Sequence, residues 1–255
     1  MVAANKGYRL IVVVDHHAAV DKINIMKAYG ATIVCVGDSG EGIVAVQQRE
    51  QLAKEICART PGSFFVNQAD NPDNPSGYQG LAAEILALGS LTDVIGAIGT
   101  GGSLCGVARV LKSAAPGIRV VAVEPLGSII FGGPAGLYYQ SGTGNPVDAD
   151  IPHNVDYTVI DEYYKVSDRE AFNTARVLAR EVGVLLGGSA GGVLYSALRY
   201  LDAHVSDTRT LMAIMADGGE KYLSTIFNDE WMQSRDLVDL QVEEEIRRWL
   251  DLDPR

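Results

Sequence analysis

Cysteine, positive charge and long apolar runs are all scarce in this chain. Its three cysteines, Cys35, Cys57 and Cys105, have neither disulfide-scaffold nor metal-site spacing, and they read as buried, reduced thiols of a cytoplasmic protein. Lys and Arg number 21 against 32 Asp and Glu, a formal net charge of -11. Such a surface attracts neither nucleic acid nor an anionic membrane. No apolar run reaches the roughly 18 residues that a membrane helix needs, and the opening "MVAANKGYRLIVVVD" lacks the order of a signal peptide. With 47% apolar, 21% charged and 7% aromatic residues over 255 positions, the chain reads as a soluble globular protein of one large or two modest domains.

Short β-rich runs alternate with helical patterns. Strands are predicted at 8–14, 32–36, 63–67, 93–98, 118–124 and 210–216, most of them continuous apolar runs as in a parallel sheet buried on both faces. Helices are predicted at 19–29, 43–59, 78–88, 103–113, 169–181 and 190–201, with an amphipathic helix in the tail "LQVEEEIRRWLDLDPR" that packs on the body or on a partner subunit. The fold class is therefore α/β, with open, mostly parallel twisted sheets and helices on both faces. The stretch "QADNPDNPSGYQG" (68–80) is the best internal boundary, and the irregular 132–154 is long enough to be functional. The chain opens in a helix pattern (Val2 to Lys6) that runs straight into a strand, so the domain is expected to be N-terminally incomplete.

The stretch "DVIGAIGTGGSLCGVARVL" passes from strand through a glycine knot into a helix. Backbone N–H groups and a positive helix end at such a turn suit a phosphate, and glycines let the main chain approach it. Thr100 and Ser103 add hydroxyl donors. A P-loop is excluded because no Gly-Lys-[Ser/Thr] follows. A dinucleotide fingerprint fits Gly99, Gly101 and a ribose-binding Glu124, but its third glycine falls on Leu104. A turn without a ligand is the bland reading. Later, Gly187 to Gly191 spell G-x-S-x-G, the pattern of a hydrolase elbow. The only downstream histidine is His204, with Asp202, Asp207 and Asp217 as poorly placed acids.

"GTGGS" resembles the G-T-G-G-T phosphate loop of the cysteine synthase and cystathionine β-synthase family, the fold type II pyridoxal phosphate enzymes with a tryptophan synthase β-like fold. "MKAYGATIV", "NPDNP", "GTGGSLCGVARVLK", "VVAVEPLGS", "VSDREAFNTARVLAREVGVLLGGSAGG" and "GEKYLSTIFNDEWM" are similar to family segments, in order, over roughly Met1 to Met232. The resemblance implies pyridoxal 5'-phosphate as cofactor, with its phosphate on Gly99, Thr100, Gly101, Gly102 and Ser103. It sets the Ser189 hydroxyl against the pyridine nitrogen and Gln68 near the substrate carboxylate; Gln68 as a loop-stabilising amide is the plainer alternative. It divides the chain into 1–76, the remainder of a smaller α/β domain, 77–232, the larger phosphate-binding domain, and 233–255, a tail helix. It implies β-replacement on an O-activated serine, an amino-acid substrate and a homodimer. "VVVD" followed by "YQSGTGN" is similar to relatives that make diaminopropionate from phosphoserine.

The family's Schiff-base lysine lies in a motif that none of Lys6, Lys22, Lys27, Lys54, Lys112, Lys165 and Lys221 matches, so the catalytic lysine stays unassigned. "SGYQGLAAEI" and "VVDHHAAV" also depart from the family pattern. A truncated fragment or pseudoenzyme is the alternative, and a nucleotide-binding α/β protein a second. No metal site is expected, since His16 and His17 point to opposite sides of an extended segment and read as a polar loop. Glu243 to Glu245 with Arg247 and Arg248 read as a solvated helix face. Tyr138 and Tyr139 lie in the long loop, either bordering the site or packing within the loop.

Overall fold

Continuous apolar strands must be covered on both faces, and the larger part of this chain supplies that cover. The computed structural model describes residues 1–15, 18, 20–36, 43–147, 149–205 and 208–252; His16, His17 and Asp207 lie outside them. Two compact units meet after Asn67, Met1–Asn67 and Gln68–Arg255, where the sequence reading divides the chain after residue 76.

The first unit runs α1 (Val2–Asn5), β1 (Ile11–Val14), α2 (Val20–Ala28), β2 (Thr32–Cys35) and α3 (Ile43–Arg59). β1 and β2 pair in parallel with Val12 opposite Ile33. Buried Asp15, just past β1, is ion-paired with Arg49 of α3 at 2.8 Å. The predicted strand 63–67 does not form. No described strand pairs with it, Phe64 and Val66 are exposed, and β propensity without a ladder partner does not make a strand.

The second unit contains α4 (Asp73–Ser76), α5 (Gln79–Ala87), β3 (Asp93–Ala97), α6 (Gly102–Ala114), β4 (Arg119–Pro125), β5 (Glu162–Val166), α7 (Asp168–Val177), α8 (Gly188–Asp202), β6 (Leu211–Ile214), α9 (Asp229–Gln233) and α10 (Leu240–Trp249). Its four strands are all parallel, in the order β5-β4-β3-β6. Alternate residues serve opposite cores, as strand geometry requires. Val94, Val120 and Ala122 pack with α5 and α6, whereas Ile95, Val121 and Val123 pack with α7, α8 and Ile246 of α10. β5 was not predicted, because Glu162 and Lys165 interrupt its apolar run. In the sheet those charges are paired, Glu162 with Arg119 at 2.9 Å and Lys165 with Glu124 at 2.5 Å.

α7 starts on a capping box made by Ser167 and Glu170, and beyond Val177 it widens into a π-turn over Leu178–Val182. The tail helix α10 packs on α7 and α8 of its own chain, with Ile246 fully buried. Its acidic cluster is not all solvated, as the sequence reading had it. Glu243 is buried between Arg180 at 3.3 Å and Arg247 at 3.0 Å, and Arg247 also reaches the largely covered carboxylate of half-buried Glu181 at 2.6 Å. Of the cysteines only Cys105 is buried; Cys35 is exposed and Cys57 half-buried, against the expectation of buried thiols. Among the described residues no helix is long and apolar enough to cross a membrane, and no cluster of three His, Cys, Asp or Glu residues could hold a metal ion.

Candidate functional site

The strand order reverses between β3 and β6. From β3 the chain steps through α6 to β4 and on to β5, then returns past α7 and α8 to lay β6 on the other side of β3. α6 and α8 cover opposite faces of the sheet. A crevice outside the carboxyl ends of the strands, at such a switch point, is where open α/β sheets bind ligands.

The glycine knot occupies the carboxyl end of β3. Gly101 caps α6 with φ +83, a left-handed conformation, and makes no side-chain cap bond. A Cβ there would stand 2.5 Å from the carbonyl oxygen of Asn154, so only glycine fits. Gly102 and Gly106, one helical turn apart, let the 74–75 main chain and side chain lie directly on α6. On the opposite flank the Ile98 carbonyl accepts from the Gly144 amide at 2.7 Å and from the Thr143 hydroxyl at 2.9 Å, which docks the long loop onto the turn. The main-chain amides of residues 99 to 104 have no acceptor among the described residues. Six open donors at a helix N-terminus are chemically suited to an anion.

Ser189 sits in the first turn of α8, and α8 is tethered to the carboxyl end of β6. The Gly187 amide donates to the Asp217 carbonyl at 3.0 Å, the Gly219 amide donates to the Leu185 carbonyl at 3.0 Å, and Leu186 bridges Gly218. Since β6 lies beside β3, Ser189 and the glycine knot share one edge of one sheet. Ser189 is 5% exposed, and no described group bonds its hydroxyl. Asp217, beside Gly187, accepts from the Tyr222 hydroxyl at 2.9 Å on one carboxylate oxygen, while its other oxygen is buried without a partner. Burial, followed by the Asp217 charge, pushes the Tyr222 phenol far above its usual range. Gln68 begins the same unit; its residue is exposed, and its carbonyl oxygen accepts from the Asn74 side chain at 2.7 Å and the Asn154 side chain at 3.3 Å. Asn74, Thr143 and Asn154 carry no role in the sequence, although "NPDNP" and "YQSGTGN" hold the first two, and Asp217 enters there only as a poorly placed triad acid.

Rival readings lose their residues. Glu124 is fully buried, paired with Lys165 at 2.5 Å and accepting from the Ile130 and Phe131 amides at 3.1 and 3.2 Å, so it cannot meet a ribose. His204 lies beyond the far end of α8, about 20 Å of helix from Ser189, and its ring bonds the Tyr200 carbonyl, so it is no triad partner of Ser189. Tyr138 reaches Gly144 of the docked loop, and burial plus the Glu124 and Asp168 charges push its phenol up to about 12. Tyr139 packs edge-on against Trp231 instead. Lys112 and Lys221 are ion-paired with Asp161 at 2.5 Å and Asp217 at 3.6 Å.

A row of open amides, with no room for a Cβ at 101 or 102, and the hydroxyl of buried Ser189 on the same edge suit the two ends of pyridoxal 5'-phosphate. The family profile described as pyridoxal-phosphate dependent enzyme matches residues 1–217. A putative cysteine synthase of Sinorhizobium fredii is 48% identical over 253 residues, covering 98% of this chain and 75% of that protein. The crystal structure of an O-ureido-L-serine synthase superposes with a TM-score of 0.78 at 31% identity, covering 92% of this chain and 75% of its own. An O-acetylserine dependent cystathionine beta-synthase from Helicobacter pylori gives 0.76 at 35% identity, covering 88% and 72%. With the parallel switch-point sheet and the matched profile in hand, the chain belongs to the pyridoxal-phosphate dependent enzymes, in their fold type II branch.

Proposed function

We propose that this protein carries out β-replacement on an O-activated serine, such as O-acetylserine or O-phosphoserine, with a thiol or amine nucleophile. The observation that carries the reading is the convergence of the α6 and α8 N-termini on the carboxyl edge of β3 and β6. The relatives named above support it, being described as a putative cysteine synthase, an O-acetylserine dependent synthase and an O-ureido-L-serine synthase.

When bound, the coenzyme supplies an electron sink for loss of the α-proton and the β-substituent. The amides of Gly99 to Leu104 and the hydroxyls of Thr100 and Ser103 hold its phosphate. The Ser189 hydroxyl meets the ring nitrogen; a neutral partner does not hold that nitrogen protonated, which suits elimination and replacement better than transamination. The Gln68 amide faces the substrate carboxylate. Thr143 and Asn154 brace the cradle from either side. The reading extends to a cytoplasmic homodimer acting on a small amino acid.

The test is to load the protein with pyridoxal 5'-phosphate and supply O-acetyl-L-serine or O-phospho-L-serine with sulfide or ammonia. A small primary amine is added in parallel, because none of the seven lysines matches the family motif. Cysteine or 2,3-diaminopropionate, detected by mass spectrometry and lost in Gly101→Ala, is the expected result. A loaded protein that yields only keto acid and transaminated coenzyme overturns the reading.

A further inference from the structure

Asn74 lies in the short helix α4, within "NPDNP", and has no part in the roles assigned above. Its side chain joins two of the site's elements. Nδ2 donates to the Gln68 carbonyl oxygen at 2.7 Å and to the Thr100 Oγ1 at 3.2 Å. A main-chain carbonyl can only accept, so the group facing Gln68 must be the amide nitrogen, and that fixes which way round the amide sits. Both Nδ2 hydrogens are then used. The amide lies directly over Gly102, where a Cβ would collide with it, so only glycine at 102 leaves room for this side chain.

The consequence falls on Thr100. Its oxygen accepts from Asn74, and no described group accepts its hydrogen. We propose that Asn74 is a positioning residue that makes the Thr100 hydroxyl a fixed donor, aimed at the anion in the 99–104 cradle and selecting a phosphate-bearing ligand. The inference rests on the cradle reading above. It also makes the polarity of this position decisive. An aspartate at 74 would accept the Thr100 hydrogen and add a negative charge at the helix N-terminus, both acting against a phosphate.

The experiment measures dissociation constants of the full chain for inorganic phosphate, pyridoxal 5'-phosphate and unphosphorylated pyridoxal by calorimetry. The variants are Asn74→Ala, Asn74→Asp, Thr100→Val and the Asn74→Ala/Thr100→Val pair. Thr100→Val is expected to weaken both phosphate ligands about tenfold, Asn74→Ala roughly three- to tenfold, and Asn74→Asp about a hundredfold. Pyridoxal binding should change less than about twofold, and in the Thr100→Val background Asn74→Ala should cost almost nothing further, because the two act as a unit. If Asn74→Ala loses cooperative unfolding, Asn74→Ser takes its place. An Asn74→Ala loss of the same size with and without the Thr100 hydroxyl, or Asn74→Asp binding phosphate as well as Asn74→Ala does, overturns the inference while leaving the cradle standing. Wild-type protein that binds pyridoxal as tightly as its phosphate ester overturns the cradle itself.

Discussion

The amide of Gly187 donates to the carbonyl oxygen of Asp217 at 3.0 Å, and the Asp217 carboxylate lies over the Gly187 Cα where any side chain would collide with it. This double contact ties the start of α8 to the end of β6. It is the joint that brings Ser189 to the same edge as the glycine knot.

A methyl group at 187 must push that carboxylate aside against the hold of Tyr222. Gly187→Ala should cost about 1–3 kcal/mol in urea unfolding. Removing the obstructing carboxylate as well, in Gly187→Ala/Asp217→Ala, should return much of it. Strict additivity of the two losses would show that the joint is not where the strain falls.

Glycines in this chain are not equivalent. Gly101→Ala combines a left-handed backbone with a clash on a main-chain oxygen, which cannot swing away, and should cost roughly 2–5 kcal/mol and abolish phosphate binding. Gly80 in α5 has nothing within 4 Å of its would-be Cβ, and Gly80→Ala should gain about 0.5 kcal/mol. Thermal melts of the two variants read the contrast directly.

Fully buried Asp93, at the other end of β3, accepts from Thr92 Oγ1 at 2.5 Å, Tyr200 at 2.6 Å and Arg209 at 3.0 Å. Burial alone would raise its pKa, but these donors outweigh burial and hold it below the usual carboxylate range. The unfolded chain therefore takes up this proton first as pH falls. The stabilisation is complete above the ordinary value of about 3.9 and is lost below it, as pH drops through the folded value. Tyr200→Phe should cost about 1.5–3 kcal/mol at pH 7, with the deficit shrinking below about pH 4. A deficit that stays constant down to pH 2 would contradict the charge-assisted bond.

Arg247 separates Glu181 and Glu243, whose side chains are both largely covered, and its own pKa is raised by the bond to Glu181, which outweighs burial, with Glu243 adding to the rise. Arg247→Met removes the cation that the two carboxylates share, leaves Glu243 with Arg180, and should cost about 3 kcal/mol. Changing both acids as well, in Glu181→Gln/Glu243→Gln/Arg247→Met, should recover part of that. Differential scanning calorimetry separates the cases.

Tyr200 and Asp93 stand 107 positions apart in the chain, and Asn74 and Thr100 26 apart. Such pairs mark where sequence reasoning stopped. The strands at 93–98, 118–124 and 210–216, the helices between them and the glycine turn from β3 into α6 were legible, because side-chain period and left-handed glycine are properties of a few adjacent residues. The strand 63–67 was misread and Glu162–Val166 was missed, because a strand exists only where another pairs with it. Local sequence thus determined the α/β alternation and the glycine turn. Only the tertiary structure decided that β6 returns beside β3, that Gly187 rests on Asp217 and that Asn74 turns its nitrogen toward Thr100. Hydrogen-bond polarity and strand adjacency are set by whichever distant groups folding brings into contact, and no pattern in the nearby residues encodes them.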